Sequence, residues 1–306
     1  MPQNLLRLGT RGSKLALVQA NMVARALETG TGAVCEIVTL KTSGDRIRDR
    51  PLADSGGKGL FVKELEDALL AGTIDLAVHS MKDVPVALPP GLEIAAFLPR
   101  EDPRDVLVSN AARALADLPR GARLGTSSVR RAAQVRRARP DLDCVLLRGN
   151  VDTRLRKLDA GEMDAMLLAL AGLKRLGLEA RAAQTLDDFL PALGQGAIGI
   201  EIREADTHAR EIVAQLNDRD TELALACERA FQLALGGSCR SPMAGLARVA
   251  GGQLAFRGEV LAPDGSESVS ARFQLALGAD AIGDATREGR AAGLSIRPQA
   301  ARWLDL

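Results

Sequence analysis

The stretch Leu124-Gly125-Thr126-Ser127-Ser128-Val129-Arg130-Arg131 reads as a strand end, a turn of hydroxyl side chains and a helix start. The helix predicted from it runs from Val129 to Arg139. Earlier in the chain the same device stands at Leu8-Gly9-Thr10-Arg11-Gly12-Ser13. There a short strand turns at Thr10-Arg11-Gly12, Ser13 can cap, and Leu15, Val18, Met22 and Ala26 share one face of the following helix. Later, Cys144 to Leu147 reads as a strand ending at Arg148, and Asn150 or Asp152 opens a helix that reaches Asp159 and stops at Gly161. Strand, polar turn and helix, repeated, is the signature of an α/β chain.

Working outward, the region Arg120 to Arg156 holds ten arginines and three aspartates, while the whole chain has a formal charge of +1. The positive charge is therefore concentrated locally. Arginine presents a planar fork of donors that pairs with carboxylate or phosphate two bonds at a time. Such a field in a near-neutral chain points to a polyanion site. Free amides and the dipole at a helix start add to it.

Composition narrows the polyanion. Aromatic residues make up 2% of the 306 residues and tyrosine is absent, which disfavours stacking on single-stranded nucleic acid. The charge balance disfavours a duplex binder, which needs a broad basic face. A hydrophobic fraction of 46% and a charged fraction of 26% are those of a globular chain with a substantial core. No leader pattern and no long apolar window are present, so a cytoplasmic protein without a membrane span is expected. Cys35, Cys144, Cys227 and Cys239 form no C-x-x-C pair, and two histidines, His79 and His208, are too few for a histidine-based metal site. No metal is expected.

In chain order, Glu36 to Leu40 is a second strand. The polar connection Thr42 to Gly57 is long enough to be expected as a lid or mobile segment. Gly56-Gly57-Lys58-Gly59 looks like a phosphate loop but lacks the G-x-x-x-x-G-K-[ST] pattern. The next helix is predicted to open at Lys58-Gly59-Leu60, with Phe61, Leu65, Ala68 and Leu69 inward. Ile74 to Val78 reads as a buried strand ending in His79-Ser80-Met81-Lys82-Asp83-Val84-Pro85, and polar groups past the carboxyl end of such a strand sit where ligands bind. Gly91 to Phe97 is another strand. Pro99 to Asp105 and Pro191 to Gly196 read as two crossings, the second leading into a strand at Ala197 to Ile202.

The fold class expected is α/β, with two doubly wound lobes of the periplasmic-binding-protein type joined by two hinge crossings. A smaller C-terminal α+β domain follows. Residues 1–98 and 197–217 form the first lobe, 104–192 the second and 218–306 the C-terminal domain. Toward the C-terminus, helices over Asp206 to Leu216 and Thr221 to Leu235 precede a change to period two. One strand carries Leu254, Phe256 and Val260, and the other Val269, Ala271, Phe273 and Leu275. Pro263-Asp264-Gly265 turns between them, and a final helix is predicted over Ala279 to Ala292. Cys239 stands apart from the other cysteines: glycines precede it, Arg240 and a proline follow, and such a turn favours thiolate character. A papain-like role would need a histidine partner, and both histidines have ordinary structural roles open to them.

Several segments in order resemble the porphobilinogen deaminase (hydroxymethylbilane synthase) family over essentially the full length. They are Leu8 to Ala16, Gly56 to Phe61, Ala77 to Pro85, Gly125 to Arg131, Leu147 to Leu155, Ala171 to Leu176 and Gly194-Gln195-Gly196. The resemblance implies an enzyme that joins four porphobilinogen units into hydroxymethylbilane with loss of ammonia. It works on a dipyrromethane cofactor held through a thioether. Cys239 matches the attachment cysteine, with Ser238 where the family commonly has glycine. Asp83 matches the catalytic carboxylate. Arg11, Lys82, Arg130, Arg131, Arg148, Arg154 and Arg175 match basic contacts to cofactor and substrate carboxylates. Ser13, Lys58, Ser80, Thr126, Ser127, Ser128, Asn150 and Gln195 complete the implied binding set, while Asp54 stands where some relatives carry a basic residue. The implied partner is the small-molecule substrate alone, with no nucleic acid or membrane, and the implied state is a monomer. Two other readings stay open on the residues: a non-catalytic two-lobed binder of a small anion, which needs neither Cys239 nor Asp83, and a nucleic-acid binder using the arginine field.

Overall fold

Leu6 and Leu8 on β1 (Leu5–Arg11) point to one face of a sheet, and the chain that follows supplies the helices to cover it. A computed structural model of the protein describes residues 5–42, 62–236 and 241–304. Contacts divide the chain into two units, one of residues 1–101 and 196–222, the other of 102–195 and 223–306.

In the first unit, β1 lies parallel to β2 (Val34–Leu40) and β3 (Leu76–Ser80). The sheet continues through β10 (Ile198–Arg203) to β4 (Leu92–Phe97), in the order β2-β1-β3-β10-β4, with β10 antiparallel to both neighbours. Helices α1 (Lys14–Thr31) and α6 (Thr207–Ala214) cover one face through Ala20, Val23, Leu27, Ala209 and Val213, packed on Leu8, Val78, Ile200 and Ile202. Helix α2 (Lys63–Leu70) covers the other through Leu65, Ala68 and Leu69. Lys58 to Phe61, read from sequence as the opening of this helix, lie outside the described residues. Strand β3 runs two residues beyond its predicted end at Val78. The gain comes from β10, whose Gly199 and Ile198 pair with His79 and Ser80.

The second unit builds the same sheet from a different stretch of the chain. Its strands are β5 (Asp105–Ser109), β6 (Arg123–Gly125), β7 (Asp143–Val145), β8 (Ala165–Ala169) and β9 (Gln184–Leu186). They are ordered β7-β6-β8-β5-β9. Here β5 is the antiparallel strand, again fourth in line. The reading of two doubly wound lobes holds, with one reversed strand in each sheet. Helices α3 (Val129–Ala138) and α4 (Val151–Asp159) begin after the polar turns predicted, and α5 (Leu170–Arg175) follows β8 directly.

The C-terminal sheet lies in this second unit and has three antiparallel strands rather than two: β11 (Met243–Ala250), β12 (Gln253–Leu261) and β13 (Ser268–Ala276). Met243, Gly245 and Ala247 give β11 its buried face, and such small or unbranched side chains carry little strand signal. Helix α7 (Arg219–Leu235) and the last helix, α8 (Ala281–Leu304), pack on this sheet around Phe231 and Phe256. Helix α8 extends well past its predicted end. Gly293, just past the predicted end, is a contact: a Cβ there would lie 2.7 Å from the carbonyl oxygen of Phe231. Beyond Pro298 the helix delivers Ala300, Trp303 and Leu304 to the core, and this burial outweighs the donor that proline removes. Buried Glu228 of α7 accepts from the backbone N–H groups of Gly194 and Ala247, at 2.7 and 2.8 Å, so both of its carboxylate oxygens are satisfied.

Candidate active site

The candidate residues of the first unit stand on two adjacent strand ends. Ser13 is the N-cap of α1, its hydroxyl accepting from the Ala16 N–H at 3.2 Å, and Arg11 is the last residue of β1. Ser80 ends β3 and exchanges hydrogen bonds with the Gln19 amide of α1, the amide nitrogen lying 2.9 Å from Oγ. A single tight helical turn, Met81–Asp83, follows, with Met81 buried and both Lys82 and Asp83 exposed. The Met81 N–H donates to the Ala197 carbonyl at 3.1 Å, and the Val84 N–H closes the turn on the Met81 carbonyl at 3.2 Å. An exposed carboxylate and ammonium thus sit on a turn whose other residues are fixed.

Below that turn lies a buried polar layer. His79 Nε2 is 2.8 Å from Glu201 Oε2, with both side chains almost fully enclosed. The second carboxylate oxygen of Glu201 is buried without a hydrogen-bond partner. Glu66 of α2 is 7% exposed in the same environment; burial and then the charge of Glu201 push its carboxyl up to about 6, against an opposing pull from His79.

In the second unit the candidates divide into two groups. Arg130 and Arg131 are buried and converge on Asp105, which is fully buried at the start of β5. Arg130 Nη1 donates to Oδ2 at 2.7 Å and to the Leu190 carbonyl at 2.6 Å. Arg131 donates twice to Oδ1, at 3.1 and 2.7 Å, and once to the Leu167 carbonyl at 3.0 Å. Gln195 Nε2 adds a bond to the same Oδ1 at 2.8 Å and one to the Pro103 carbonyl at 2.6 Å. Burial would raise the Asp105 carboxyl, but the two guanidiniums overcome it and hold the group well below the ordinary carboxylate range.

The other group lies at the helix starts. Ser128 caps α3, its hydroxyl accepting from the Arg131 N–H at 3.3 Å, while its own N–H donates to Thr126 Oγ1 at 3.1 Å. Ser127 is exposed between them, 3.4 Å from an Arg154 nitrogen. Arg154 Nε reaches back to the Gly149 carbonyl at 2.7 Å. Asn150 is the N-cap residue of α4, yet its exposed side chain makes no capping bond. Arg148 precedes it, and its Nε is buried without a hydrogen-bond partner. Arg175 closes α5. Two large apolar side chains, Val129 and Leu146, are exposed at the same turns.

Much of the arginine field is therefore structural. Arg137 pairs with the buried Glu259 of β12 at 3.0 Å, Arg136 donates to the Pro263 carbonyl at 2.7 Å, and Arg139 forks onto Asp141 at 2.8 and 2.7 Å. Asp105, Gln19 and Glu201 were missed from sequence. Asp105 had a signal, being a lone carboxylate at the head of an apolar run. Gln19 and Glu201 looked like ordinary helix and strand residues, and only tertiary contacts single them out.

Among the described residues there is no cluster of three or more potential metal-binding side chains, and no helix is long and apolar enough to cross a membrane. Burial raises all three described thiols: Cys35 to about 11, with Cys144 and Cys227 also shifted upward. They behave as small apolar side chains, as the sequence patterns indicated. Cys239 and Lys58 lie outside the described residues.

Comparison with known proteins is consistent along the chain. Residues 6–211 match the family model described as porphobilinogen deaminase, dipyromethane cofactor binding domain, and residues 223–295 match that of the porphobilinogen deaminase C-terminal domain. A porphobilinogen deaminase of Nitrobacter hamburgensis is 54% identical over 289 residues, 90% of this chain and 91% of the relative. One from Syntrophobacter fumaroxidans is 50% identical over 305 residues, 99% of this chain and 97% of the relative. Among solved structures, a periplasmic substrate-binding protein of an ABC transporter from Coxiella burnetii overlaps 71% of this chain and 93% of its own at 16% identity and a TM-score of 0.45. With two family models in register and half or more of the residues shared over nearly the whole length, the chain belongs to the porphobilinogen deaminase family.

Proposed function

We propose that this chain condenses porphobilinogen units head to tail into hydroxymethylbilane, releasing ammonia at each addition, in tetrapyrrole synthesis. The observation that carries the reading is the 50% identity sustained over 99% of the chain with a porphobilinogen deaminase. Cys239 would hold a dipyrromethane as a thioether, and that group would supply the primer whose free α-carbon the first unit joins.

The donor set fits such a group. Each pyrrole bears an acetate and a propionate. Arg148 offers a buried Nε without a partner two residues ahead of the N-cap of α4, and Arg154 of that helix lies 3.4 Å from the exposed hydroxyl of Ser127. A charge-assisted hydrogen bond donated to a carboxylate would satisfy it. Arg154 and Arg175, with Asn150 and the Thr126 to Ser128 hydroxyls, would complete the second-unit cradle. Val129 and Leu146 give ring bodies an apolar surface. Arg130, Arg131 and Gln195 form its floor, held in place by Asp105. In the first unit Arg11, Ser13, Lys58, Ser80 and Lys82 would take further carboxylates.

Asp83 is the proposed catalytic residue. As ammonia leaves, positive charge develops on the pyrrole, and an ionised carboxylate near the ring N–H stabilises it and can move the proton that must be lost. Its exposure on a rigid turn leaves it open to a ring. We assign the catalytic carboxylate to residues 1–98 and 197–217, the arginine cradle to 104–192 and the cofactor cysteine to 218–306. The enzyme is taken to act as a cytoplasmic monomer on its small-molecule substrate, without metal, nucleic acid or membrane.

Intact-mass measurement tests the proposal. The purified protein should carry an adduct of two pyrrole units that Cys239→Ser abolishes, and substrate should add a ladder of further units. A chain that purifies without the adduct and does not turn over porphobilinogen would leave the anion-binder reading in its place.

A further inference from the structure

Three consecutive residues ahead of the Lys82–Asp83 pair are each fixed by a different partner. Ser80 is held by Gln19, and Met81 by the Ala197 carbonyl. Met81 also fills the space over Gly199, where a Cβ would lie 2.2 Å from its sulfur. His79 is held by Glu201 at 2.8 Å. The first two fixings are common ways to end a strand. The third places an ionisable pair with almost no solvent contact in the layer between the sheet and α2.

A buried polar pair of this kind adds little stability over apolar side chains of the same volume, because desolvation offsets the attraction. What it adds is direction: a hydrogen bond defines where the imidazole sits, whereas apolar packing tolerates sliding. Strand geometry supports this. Glu201 lies where the pairing of β10 with β4 shifts register between Ile200 and Glu201, while β10 stays in register with β3. Such irregularities re-aim a side chain. Here the re-aimed carboxylate reaches diagonally from opposite Ala77 to His79.

We propose that Glu201 and His79 are positioning residues for the reaction: their buried hydrogen bond fixes the end of β3 and so the place of Asp83. The inference rests on the reading of Asp83 as the catalytic carboxylate. Neither residue touches substrate; both act through the turn.

The test uses the full-length holoenzyme, with cofactor loading read by intact mass. In the double variant His79→Leu/Glu201→Leu, apolar side chains of similar size replace the pair. It should melt no lower than the parent, carry the normal adduct and keep KM within about twofold, while kcat falls about tenfold to a hundredfold through misplacement of the carboxylate. A folded, loaded double variant with parental kcat overturns the proposal. The single variants decide independently of how well the double folds. Glu201→Gln retains an acceptor for His79 and should keep kcat within about threefold, whereas Glu201→Leu should show the loss. Equal kcat in Gln and Leu variants of equal stability overturns it as well. Asp83→Asn separates the two readings. If it turns over normally, the assignment of Asp83 fails; if it is inactive while the double Leu variant is fully active, only the positioning role fails.

Discussion

Asp105 Oδ1 accepts two hydrogen bonds from Arg131, at 3.1 and 2.7 Å, and with Arg130 on its other oxygen the carboxylate is the acid at the centre of a buried junction. Removing it would leave two buried guanidiniums without their counter-charge. Asp105→Ala is expected to cost about 3–5 kcal/mol, seen as a large fall in melting temperature. The pH dependence has a definite sign. The native carboxyl is held below its unfolded value, so its stabilisation is complete above the ordinary carboxylate range and is lost as pH falls toward the native value. Asp105→Asn should therefore melt lower than the parent at pH 7, and the gap should narrow below about pH 4. A gap that stays constant down to about pH 3 would refute this account.

The division of the arginine field makes a second prediction. Arg137 and Arg139 spend their guanidiniums on Glu259 and Asp141, whereas Arg148 has a buried nitrogen to spare. Arg148→Ala should impair cofactor loading or raise KM about tenfold to a hundredfold, the worth of one charge-assisted hydrogen bond, with a small change in melting temperature. Arg137→Ala should do the reverse, since it strands the buried Glu259 carboxylate. Its melting temperature should fall, with KM close to that of the parent. Melting curves and steady-state kinetics on the parent, each single variant and the double variant check the contrast.

Glu66 supplies a third. Its native carboxyl is raised to about 6 from an ordinary value of 4.5. For a raised group the stabilising contribution is present below the unfolded value and lost as pH rises through the native one. Acidification from about pH 7 to about 4.5 should thus favour the native state by about 1–2 kcal/mol at this residue. Glu66→Gln, neutral at every pH, should be the more stable protein at about pH 7.5 and lose that advantage below about pH 4.5. An unchanged difference across the range would show that Glu66 ionises as an ordinary surface carboxylate.

These residues also mark what could be read from the sequence. The helix starts at Ser13 and Ser128 were legible because capping is a local matter of one side chain and one turn. The strands before Ser80 and Arg148 were legible as apolar runs, but their ends were not: β3 runs on to Ser80 through its pairing with β10, and β7 stops at Val145. The reversed strand β10 was legible as a strand but not as reversed, because orientation follows from the crossing and not from the run itself. Strand β11 was lost because Met243, Gly245 and Ala247 bury a face without branched side chains. At the site, residue identity was legible and residue state was not. Arg130 and Arg148 look alike in sequence; only Asp105, twenty-five positions away from Arg130, distinguishes a committed guanidinium from one with a donor left over.

Gly149 and Gly161 flank the same helix, α4, and both have positive φ, at +114° and +75°. An alanine at Gly161 would meet nothing within 4 Å, so it should cost about 1–2 kcal/mol through backbone strain alone. At Gly149 the added Cβ would lie 2.8 Å from both Cβ and Cγ2 of Thr153, inside van der Waals contact. The turn that joins Arg148 to the start of α4 would have to move, and with it the Gly149 carbonyl that receives Arg154. Gly149→Ala should therefore be the more destabilised of the two and the only one to lose cofactor loading or turnover per folded molecule. Gly161→Ala, melting lower but fully active once folded, is the control. Should both variants lose activity only in proportion to stability, the Arg148 to Asn150 turn would have no special place in the binding cradle.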